Sequence, residues 1–541
     1  MSTAFVSCSD LSFSWPDGTP VFDSLSFSLG GGRTGLVAPN GSGKSTLLQL
    51  IVGELRPAAG SVTVEGTFGY LPQTLPLVGD PTVAEVLGIA PVIQALDALE
   101  SGDASEAVLA AIGDDWDVED RTRAQLDRLG LGALAFDQRL DALSGGEVIS
   151  LGLAARLLEQ PDVLLLDEPT NNLDGDARQA LYRVLDEWRG CVLVVSHDRA
   201  LLDRMDRIAE LDRGEMRFYG GNFSAYEEAV AAAQEVAEKN VRSAEQDVKR
   251  EKREAQQARE RAARRASNAS RNLKSAGLPR IFAGNMARSA QESAARAEGT
   301  HAARLGSAQA RLDDAERAVR DDAAIVLDLP GTRVPAGRTV FSGEGLQVRE
   351  LFGAGLELTI RGPERIALTG PNGSGKSTLL RLIAGQATPS AGVLRSSGAG
   401  RVAYLSQRLD LLDLDRTIAE NFAVFAPARP ESERLTLLAR FLFRGARAHL
   451  PVGALSGGER LRATLACVLY AEPAPQLLLL DEPTNNLDLV SVGQLESALD
   501  AYEGAFLIVS HDEPFLAAVG VTRRLRLRDG VLTEEGAAPL T

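Results

Sequence analysis

The chain has 541 residues, of which 44% are hydrophobic and 24% are charged. This balance excludes a disordered chain, and the length corresponds to three or four domains. The 57 Lys and Arg side chains are outnumbered by 74 Asp and Glu, and a net charge of −17 argues, taken alone, against a nucleic-acid partner.

Three further features narrow the class of protein. Cys8, Cys191 and Cys467 are far apart and lack CxxC spacing, which supports neither a disulfide framework nor a zinc site. The N-terminus lacks the basic-then-apolar pattern of a signal peptide. The apolar runs are much shorter than the ~20 residues that span a bilayer. We therefore expect a soluble, cytoplasmic protein.

A glycine-rich loop is the first element with a chemical signature. Residues 38–45 read APNGSGKS and fit the pattern G-x-x-x-x-G-K-[ST], except that Ala38 replaces the opening glycine. Such a loop lets backbone N–H groups approach phosphates, and the following helix N-terminus adds a favourable dipole. A methyl group at Ala38 is tolerable if φ is negative and costly if φ is positive. We expect this loop to bind a nucleotide.

Polar residues at the ends of later apolar runs predict the rest of a phosphate site. Val163–Leu166 ends in Asp167-Glu168, where Asp could bind Mg²⁺ and Glu could polarise the attacking water. His197 follows another strand-like run and could contact the γ-phosphate. Gln73, in the sequence YLPQ, suits the sensing of Mg²⁺ and water.

The middle of the chain has a different composition. Residues 223–322 are rich in Ala, Arg, Glu and Gln and have no proline before Pro279, which predicts long helix. Gly277, Leu278 and Pro279 interrupt the pattern, so we expect an antiparallel helical hairpin. Residues 249–304 contain 14 basic and 5 acidic residues, a net charge of +9. A basic segment on an acidic body favours a polyanionic partner over a solvated helix face.

The second half repeats the motifs of the first in the same order. GPNGSGKS at residues 370–377 matches the loop pattern in full, between the apolar RIALT and the helix-like TLLRLIAG. LSGGE recurs at 455–459 and LLLLDEPTNNLD at 477–488, and IVSHD ends at Asp512. More chain separates loop and LSGGE in the first copy, as an insertion would produce. We infer two homologous domains, residues 1–222 and 323–541, around the linker.

The ordered motifs resemble those of ATP-binding cassette ATPases over about residues 4–220 and 340–535. The resemblance implies an α/β fold with two P-loop cassettes that close head to tail on two ATP molecules. It implies catalytic roles for Glu168, Glu482, His197 and His511, and Mg²⁺ ligation by Ser45, Gln73, Asp167, Ser377, Gln407 and Asp481. Trp15 lies where such cassettes stack an aromatic ring on adenine, and the second cassette has no obvious equivalent.

The resemblance also implies that each ATP lies between one loop and the LSGGE signature of the other cassette. Lys44, with Gln73, Asp167, Glu168 and His197, would face Ser456, Gly457 and Gly458; Lys376, with its counterparts, would face Ser144, Gly145 and Gly146. The remaining loop residues assigned to nucleotide binding are Ala38, Pro39, Asn40, Gly41, Ser42, Gly43, Ser45, Thr46, Gly370, Pro371, Asn372, Gly373, Ser374, Gly375, Ser377 and Thr378. After LSGGE the second copy continues Arg-Leu-Arg and the first Val-Ile-Ser, a further asymmetry.

Two cassettes joined by a basic helical linker look like the ABC-F family of ribosome-associated ATPases. Both EPTNNLD motifs and the YGGNFSAY sequence before the linker support this. The family implies a monomer with an intramolecular cassette pair that enters the tRNA exit site of the ribosome in its ATP-closed form. The hairpin, whose ~40-residue helices reach ~60 Å, would approach rRNA, the peptidyl-tRNA and the peptidyl-transferase centre. Such members tune translation or protect the ribosome from antibiotics.

Two other classes stay open. An ATPase subunit docked on a separate drug-export permease would leave the basic hairpin unexplained. A DNA-repair or chromosome-structure ATPase would have a split cassette or zinc modules, and neither is present in the sequence. At the hairpin tip, residues 267–288, we expect basic side chains (Arg271, Lys274 and Arg280) to bind RNA phosphates. Leu278, Pro279, Ile281 and Phe282 either form an apolar functional point or merely pack the turn.

Overall fold

The fold is seen in a computed structural model, which describes residues 4–75, 80–275, 299–300, 302–319, 327–348, 351–396 and 401–535. The chain divides into two compact units. One unit is the linker, Ala225–Ala323, and the other combines the two cassettes, Met1–Ser224 and Ala324–Thr541. The turn of the linker, with Leu278, Pro279, Ile281 and Phe282, lies outside the described residues.

The first cassette contains nine strands and eight helices among its described residues. Its strands are β1 (Ala4–Ser14), β2 (Pro20–Gly30), β3 (Gly32–Val37), β4 (Ala59–Val64), β5 (Phe68–Leu71), β6 (Val163–Asp167), β7 (Cys191–Val195), β8 (Arg207–Asp212) and β9 (Glu215–Gly220). Its helices are α1 (Lys44–Ile51), α2 (Val83–Val86), α3 (Ala90–Glu100), α4 (Glu106–Ile112), α5 (Val118–Arg128), α6 (Gly145–Leu158), α7 (Gly175–Glu187) and α8 (Arg199–Leu202).

The strands of this cassette form two sheets. The main sheet has the order β5-β6-β7-β3-β8-β9 and is parallel except for the antiparallel pair β8–β9. Every residue of β6 and β7 is buried, as apolar runs in a parallel sheet covered on both faces require. A second, antiparallel sheet has the order β2-β1-β4 and packs its apolar side chains into the same core.

The second cassette repeats this arrangement. Its strands are β10 (Thr339–Gln347), β11 (Leu356–Arg361), β12 (Arg365–Thr369), β13 (Ala391–Ser396), β14 (Val402–Leu405), β15 (Leu477–Asp481), β16 (Ala505–Val509), β17 (Arg523–Arg528) and β18 (Val531–Glu535). The main sheet has the order β14-β15-β16-β12-β17-β18, and the antiparallel sheet has the order β11-β10-β13. Its helices are α11 (Lys376–Ile383), α12 (Ile418–Phe425), α13 (Glu431–Arg440), α14 (Gly457–Leu469), α15 (Leu489–Asp500) and α16 (Glu513–Ala518).

The two cassettes differ between the main sheet and the LSGGE motif. Among the residues described there, the first has four α-helices, α2 to α5, and the second has two, α12 and α13. This is where the sequence predicts extra chain in the first copy.

The described part of the linker forms two helices that pack against each other. Helix α9 covers Phe223–Ser275, and helix α10 covers residues 302–318. Val248, Ala308 and Leu312 form a small buried cluster between them, and Asp247 lies 3.9 Å from Arg311. The fold class predicted from the sequence, two cassettes and a helical linker, is confirmed. Among the described residues, we find no helix with the length and apolar character needed to span a membrane.

Candidate functional site

Each glycine-rich loop joins a central strand, β3 or β12, to the helix that follows. Ligands of such sheets bind at the carboxyl ends of the parallel strands. At Gly43 φ is +94°, and a Cβ atom there would lie 2.5 Å from Val21 Cγ1, so the turn requires glycine. Lys44 Nζ donates to the carbonyl oxygens of Ala38 (2.9 Å) and Pro39 (3.2 Å), which curls the loop around the ammonium group. Burial lowers the pKa of Lys44.

The opening positions of the two loops have different backbone conformations. Gly370 has a φ of +144°, and a Cβ atom there would lie 2.2 Å from the carbonyl oxygen of Leu527. Ala38 does not have a positive φ, although its side chain is buried. The alanine of the first loop is therefore compatible with its backbone, whereas the second loop needs its glycine.

One serine hydroxyl group at the same position of each loop lacks a hydrogen-bond partner among the described residues. Ser42 Oγ and Ser374 Oγ are both buried without a hydrogen bond to any described residue. A buried hydroxyl without a partner is costly, and a phosphate oxygen would supply the acceptor. The residues present therefore fit a bound nucleoside triphosphate.

The carboxylates after the buried strands β6 and β15 lie beside these loops. Asp167 is hydrogen-bonded by the Ser45 hydroxyl group, and burial raises its pKa. Its other oxygen, Oδ1, is buried and has no hydrogen-bond partner within the described part of the chain. In the second cassette Tyr404 donates a hydrogen bond to Asp481 Oδ2 (3.0 Å). An oxygen donor set of hydroxyl and carboxylate, with one carboxylate oxygen unpaired, fits Mg²⁺.

The glutamates next in sequence have strained backbones. Glu168 has a φ of +49° and Glu482 a φ of +47°, in the left-handed region that non-glycine residues rarely occupy. Burial raises the pKa of both carboxyl groups, that of Glu482 to about 7. Because the same strain recurs in both copies, a functional geometry is the best explanation.

Each glutamate lies next to the predicted switch histidine. Glu168 Oε1 is 3.2 Å from His197 Nε2, and Glu482 Oε1 is 3.6 Å from His511 Nε2. Burial lowers the pKa of His197 to about 3 and that of His511 to about 4, so both imidazoles are neutral at pH 7. His197 Nδ1 is buried without a partner among the described residues and is free to bind a ligand.

The first loop is contacted by the opposite cassette. The backbone N–H of Asn40 donates to Asp488 Oδ2 (3.0 Å), and Asn40 Nδ2 donates to the carbonyl oxygen of Asn486 (2.9 Å). Burial alone would raise the pKa of Asp488, but the hydrogen bonds from Asn40 and Ser491 outweigh it and lower the pKa. The end of the EPTNNLD motif thus binds the loop of the other cassette.

The second loop shows the same contacts from the first cassette. Asn372 Nδ2 donates to the carbonyl oxygen of Asn172 (2.9 Å), and the Asn372 N–H lies 3.4 Å from Asp174 Oδ2. Gly146, in the first LSGGE motif, is so close that a Cβ atom there would lie 3.3 Å from Asn372 Nδ2. The two cassettes therefore lie head to tail, with each loop facing the other cassette.

The cavity around Lys44 gathers most of the residues predicted for that site. It has a volume of about 420 Å³ and is lined by Trp15, Val21, Asn40, Gly41, Gly43, Lys44, Ser45, Thr46, Gln73, Asp167, Glu168, Asn171, His197 and Asn486. The predicted signature residues Ser456, Gly457 and Gly458 are not in this lining. A Cβ atom on Gly457 would lie 3.9 Å from the carbonyl oxygen of Asn486. The same carbonyl oxygen accepts the hydrogen bond from Asn40 Nδ2 in the first loop.

The structure brings together fewer of the residues predicted for the Lys376 site than of those predicted for the Lys44 site. Lys376 Nζ donates to the carbonyl oxygens of Gly370 (2.6 Å) and Pro371 (2.9 Å). Gln407 is exposed in a turn after β14. Ser144 and Ser456 each cap a helix, accepting a hydrogen bond from the N–H of the glutamate three residues later.

Comparisons with known proteins agree with this geometry. A family model described as ABC transporter matches residues 22–171 and 354–485. The chain is 36% identical over 537 residues to the tylosin resistance ATP-binding protein TlrC of Streptomyces fradiae, covering 93% of both chains. It is 32% identical over 528 residues to the energy-dependent translational throttle protein EttA of Escherichia coli K12, covering 91% of this chain and 86% of EttA.

The chain belongs to the ABC-F family of ATP-binding cassette ATPases.

The solved structures show the same fold. The archaeal ribosome recycling factor aABCE1, in complex with the stalk protein aP1, matches with a TM-score of 0.58 at 20% identity, covering 97% of this chain and 89% of that one. The family model and the two relatives confirm the predicted family and the predicted ATPase activity. As an ABC-F ATPase, the chain binds ATP.

Some site residues of this ABC-F ATPase were missed in the sequence. Asp174, Asp488, Asn172 and Asn486 bind the opposite loop, yet no role was assigned to them. A sequence signal for these four residues exists, because they belong to the EPTNNLD motif, which occurs in both copies. Arg199 and Glu496 form an ion pair across the cassettes (2.7 Å), and neither residue belongs to a repeated motif that could have predicted it.

Proposed function

We propose that this ABC-F ATPase binds two ATP molecules, each with Mg²⁺, at two composite sites and hydrolyses them. The first site is built around Lys44 and the second around Lys376, and these lysines bind the phosphates. Ser42, Ser374 and the unpaired Asp167 oxygen support this proposal, since each lacks the partner that a bound nucleotide and metal would supply. Mg²⁺, when bound, would neutralise charge on the phosphate oxygens.

The metal at the first site would be held by Ser45, Gln73 and Asp167, and at the second by Ser377, Gln407 and Asp481. Glu168 and Glu482 would orient and polarise the attacking water at their own sites. His197 and His511, neutral at pH 7, would hold the γ-phosphate. We further propose that the signatures at residues 144–146 and 456–458 cover the second and the first site, respectively.

We propose that the ATP-closed form binds the ribosome at the tRNA exit site, in the cytoplasm. The linker hairpin, residues 223–322 between cassettes at 1–222 and 323–541, would point toward the peptidyl-tRNA and the peptidyl-transferase centre. The charge of +9 over residues 249–304 supports an rRNA or tRNA partner, because a basic surface binds phosphates by releasing counterions. The chain would act as a monomer, and the hydrogen bonds from each loop to the other cassette of the same chain support this.

The similarity to TlrC, named for tylosin resistance, carries the proposal that the protein protects the ribosome from an antibiotic. It extends over 93% of both chains, so it includes the linker. Regulation of translation is the second candidate, favoured by the similarity to EttA, named as a translational throttle. An ATPase subunit of a drug exporter is the remaining alternative and gives the linker charge no role.

A cell-free translation assay inhibited by tylosin tests this proposal. The wild-type protein with ATP should restore synthesis, and neutralising Arg271, Lys274 and Arg280 should weaken the rescue and its salt dependence. Changing Ile281 and Phe282 to Ala should spare ATPase activity and remove the rescue. Rescue by a chain without residues 240–310 would contradict the role of the linker. If the wild-type protein does not restore synthesis in tylosin but changes synthesis without the drug, regulation of translation is favoured. If it changes synthesis under neither condition, the exporter subunit is favoured.

A further inference from the structure

Arg178 is a buried arginine on α7, four residues after Asp174. Its side chain is 10% exposed. The Nε group donates to the carbonyl oxygen of Leu173 (3.2 Å), and Nη1 lies 3.5 Å from Asp198 Oδ2. The side chain therefore ties the loop that contacts Asn372 to the residue that follows His197.

The Asp198 carboxylate is held by further contacts in the same cassette. Tyr182 donates its hydroxyl group to Asp198 Oδ2 (2.7 Å), and Asp198 Oδ1 caps α8 through the Leu201 N–H (3.0 Å). The Asp198 carboxylate that faces Arg178 is thus held by two hydrogen bonds of its own.

This arginine faces the second site across the cassette boundary. Arg178, Tyr182 and Asp198 line a cavity of about 340 Å³ together with His511 and Asp512 of the second cassette. A Cβ atom on Gly175, at the start of α7, would lie 3.6 Å from His511 Nδ1. The first cassette thus brings a fixed positive charge to the switch histidine of the Lys376 site.

The electrostatics agree with this placement. Burial lowers the pKa of His511 to about 4, and the charges of Lys376 and Arg178 lower it further. The charge of Arg178 therefore acts on the predicted switch histidine of the second site.

Among the described residues, no arginine takes the corresponding position at the first site. Val492 lies four residues after Asp488, at the place that Arg178 occupies after Asp174. Glu496 stands where the first cassette has Tyr182, and it pairs with Arg199 instead. This cation is therefore a further difference between the two sites, besides Ala38 in place of Gly370.

We propose that Arg178 is a positioning residue for the second ATP site, supplied by the first cassette. By joining the Leu173 carbonyl oxygen to Asp198, it holds Asp174 against Asn372 and aligns the His511 loop. The Lys376 site then depends on the first cassette in a way that the Lys44 site does not depend on the second. This inference rests on the composite sites proposed above.

The test uses full-length variants with one hydrolytic site. Glu168→Gln leaves the Lys376 site active, and Glu482→Gln leaves the Lys44 site active. Arg178→Val introduces the residue that the second cassette carries. Losing one charge-assisted hydrogen bond should lower kcat about tenfold in the Glu168→Gln background. In the Glu482→Gln background kcat should stay within about twofold. Arg183→Val, an exposed arginine on the same helix, is the matched control and should change neither.

A binding measurement separates positioning from general damage. In the Glu168→Gln/Glu482→Gln protein, labelled ATP is trapped and its release is followed after a chase of unlabelled ATP. Arg178→Val should speed release from one site about tenfold, and adding Lys44→Ala should leave only that fast phase. If Arg178→Val lowers the unfolding midpoint, Arg178→Gln, which keeps a donor for Leu173, replaces it with the same expectation.

Equal losses at both sites, or unchanged kcat and release at the Lys376 site, would overturn the role of Arg178. The composite sites have their own control. Lys44→Ala and Lys376→Ala should each remove one of two bound ATP molecules. If both variants still bind two, the site proposal itself fails, whatever Arg178→Val does.

Discussion

Replacing Gly370 by Ala should disable the second ATP site while leaving the fold intact. The residue opens the loop after β12 with a φ of +144°, and a Cβ atom there would lie 2.2 Å from the carbonyl oxygen of Leu527. Ordinary contacts between such atoms begin near about 3.5 Å. The loop or β17 must therefore shift by more than an ångström to admit the methyl group.

The expected magnitude follows from two contributions. A non-glycine residue in a sparsely populated backbone region costs about 1–3 kcal/mol, and relieving an overlap in a packed region costs a similar amount. The two contributions together come to about 4 kcal/mol. If the loop leaves its binding conformation to avoid half of this strain, about 2 kcal/mol is lost from the free energy of ATP binding. That corresponds to roughly 30-fold weaker binding, since 1.4 kcal/mol is a factor of ten.

Titration of a fluorescent ATP analogue in a Lys44→Ala background, where only the second site binds, measures this loss. The matched control is Ala38→Gly in a Lys376→Ala background. Because Ala38 does not have a positive φ, the change should alter binding at the first site by no more than about threefold. An unchanged affinity for Gly370→Ala, or an equal loss for both variants, would refute the reasoning.

Three further predictions concern the first site and the paired glutamates. Glu168→Gln with Glu482→Gln should lower ATP turnover at least about 100-fold while two ATP molecules stay bound. Phosphate release measures the turnover and equilibrium dialysis the bound ATP. Turnover at the wild-type rate would contradict the roles assigned to the two glutamates. Trp15→Ala should weaken ATP binding about tenfold in a Lys376→Ala background, because base–aromatic stacking is lost. Equal ATP affinities of the Lys376→Ala protein with and without Trp15→Ala would exclude stacking. Asp488→Ala should lower the free energy of unfolding by about 1 kcal/mol through the lost cap of α15. Urea denaturation measures it, and an unchanged midpoint would show that the cap contributes nothing.

Much of the fold could be predicted because the motifs repeat and the strands are fully buried. Short apolar runs such as Val163–Leu166 are typical of strands in a covered parallel sheet, and the residues that follow such strands meet at the carboxyl edge of the sheet. Asp167, Glu168 and His197 therefore lie together as their sequence positions predict.

Other features depend on tertiary packing, which single-sequence patterns do not carry. Whether Ala38 was tolerable depended on its φ, and only the structure distinguishes it from Gly370. Arg178 reads as one more arginine on a polar helix until Asp198, far along the chain, is seen beside it. The signature residues Ser456 to Gly458 were expected at Lys44, and the structure places Asn486 in that lining instead.

Cosedimentation with ribosomes tests the central proposal most directly. The Glu168→Gln/Glu482→Gln protein should pellet with ribosomes at about one chain each in the presence of ATP. It should stay in the supernatant without ATP, or when Lys44→Ala and Lys376→Ala are added. Imaging of the pelleted complex should place the linker beside the peptidyl-tRNA. If the protein binds two ATP molecules and yet remains in the supernatant, or pellets equally without ATP, ATP-dependent ribosome binding is contradicted.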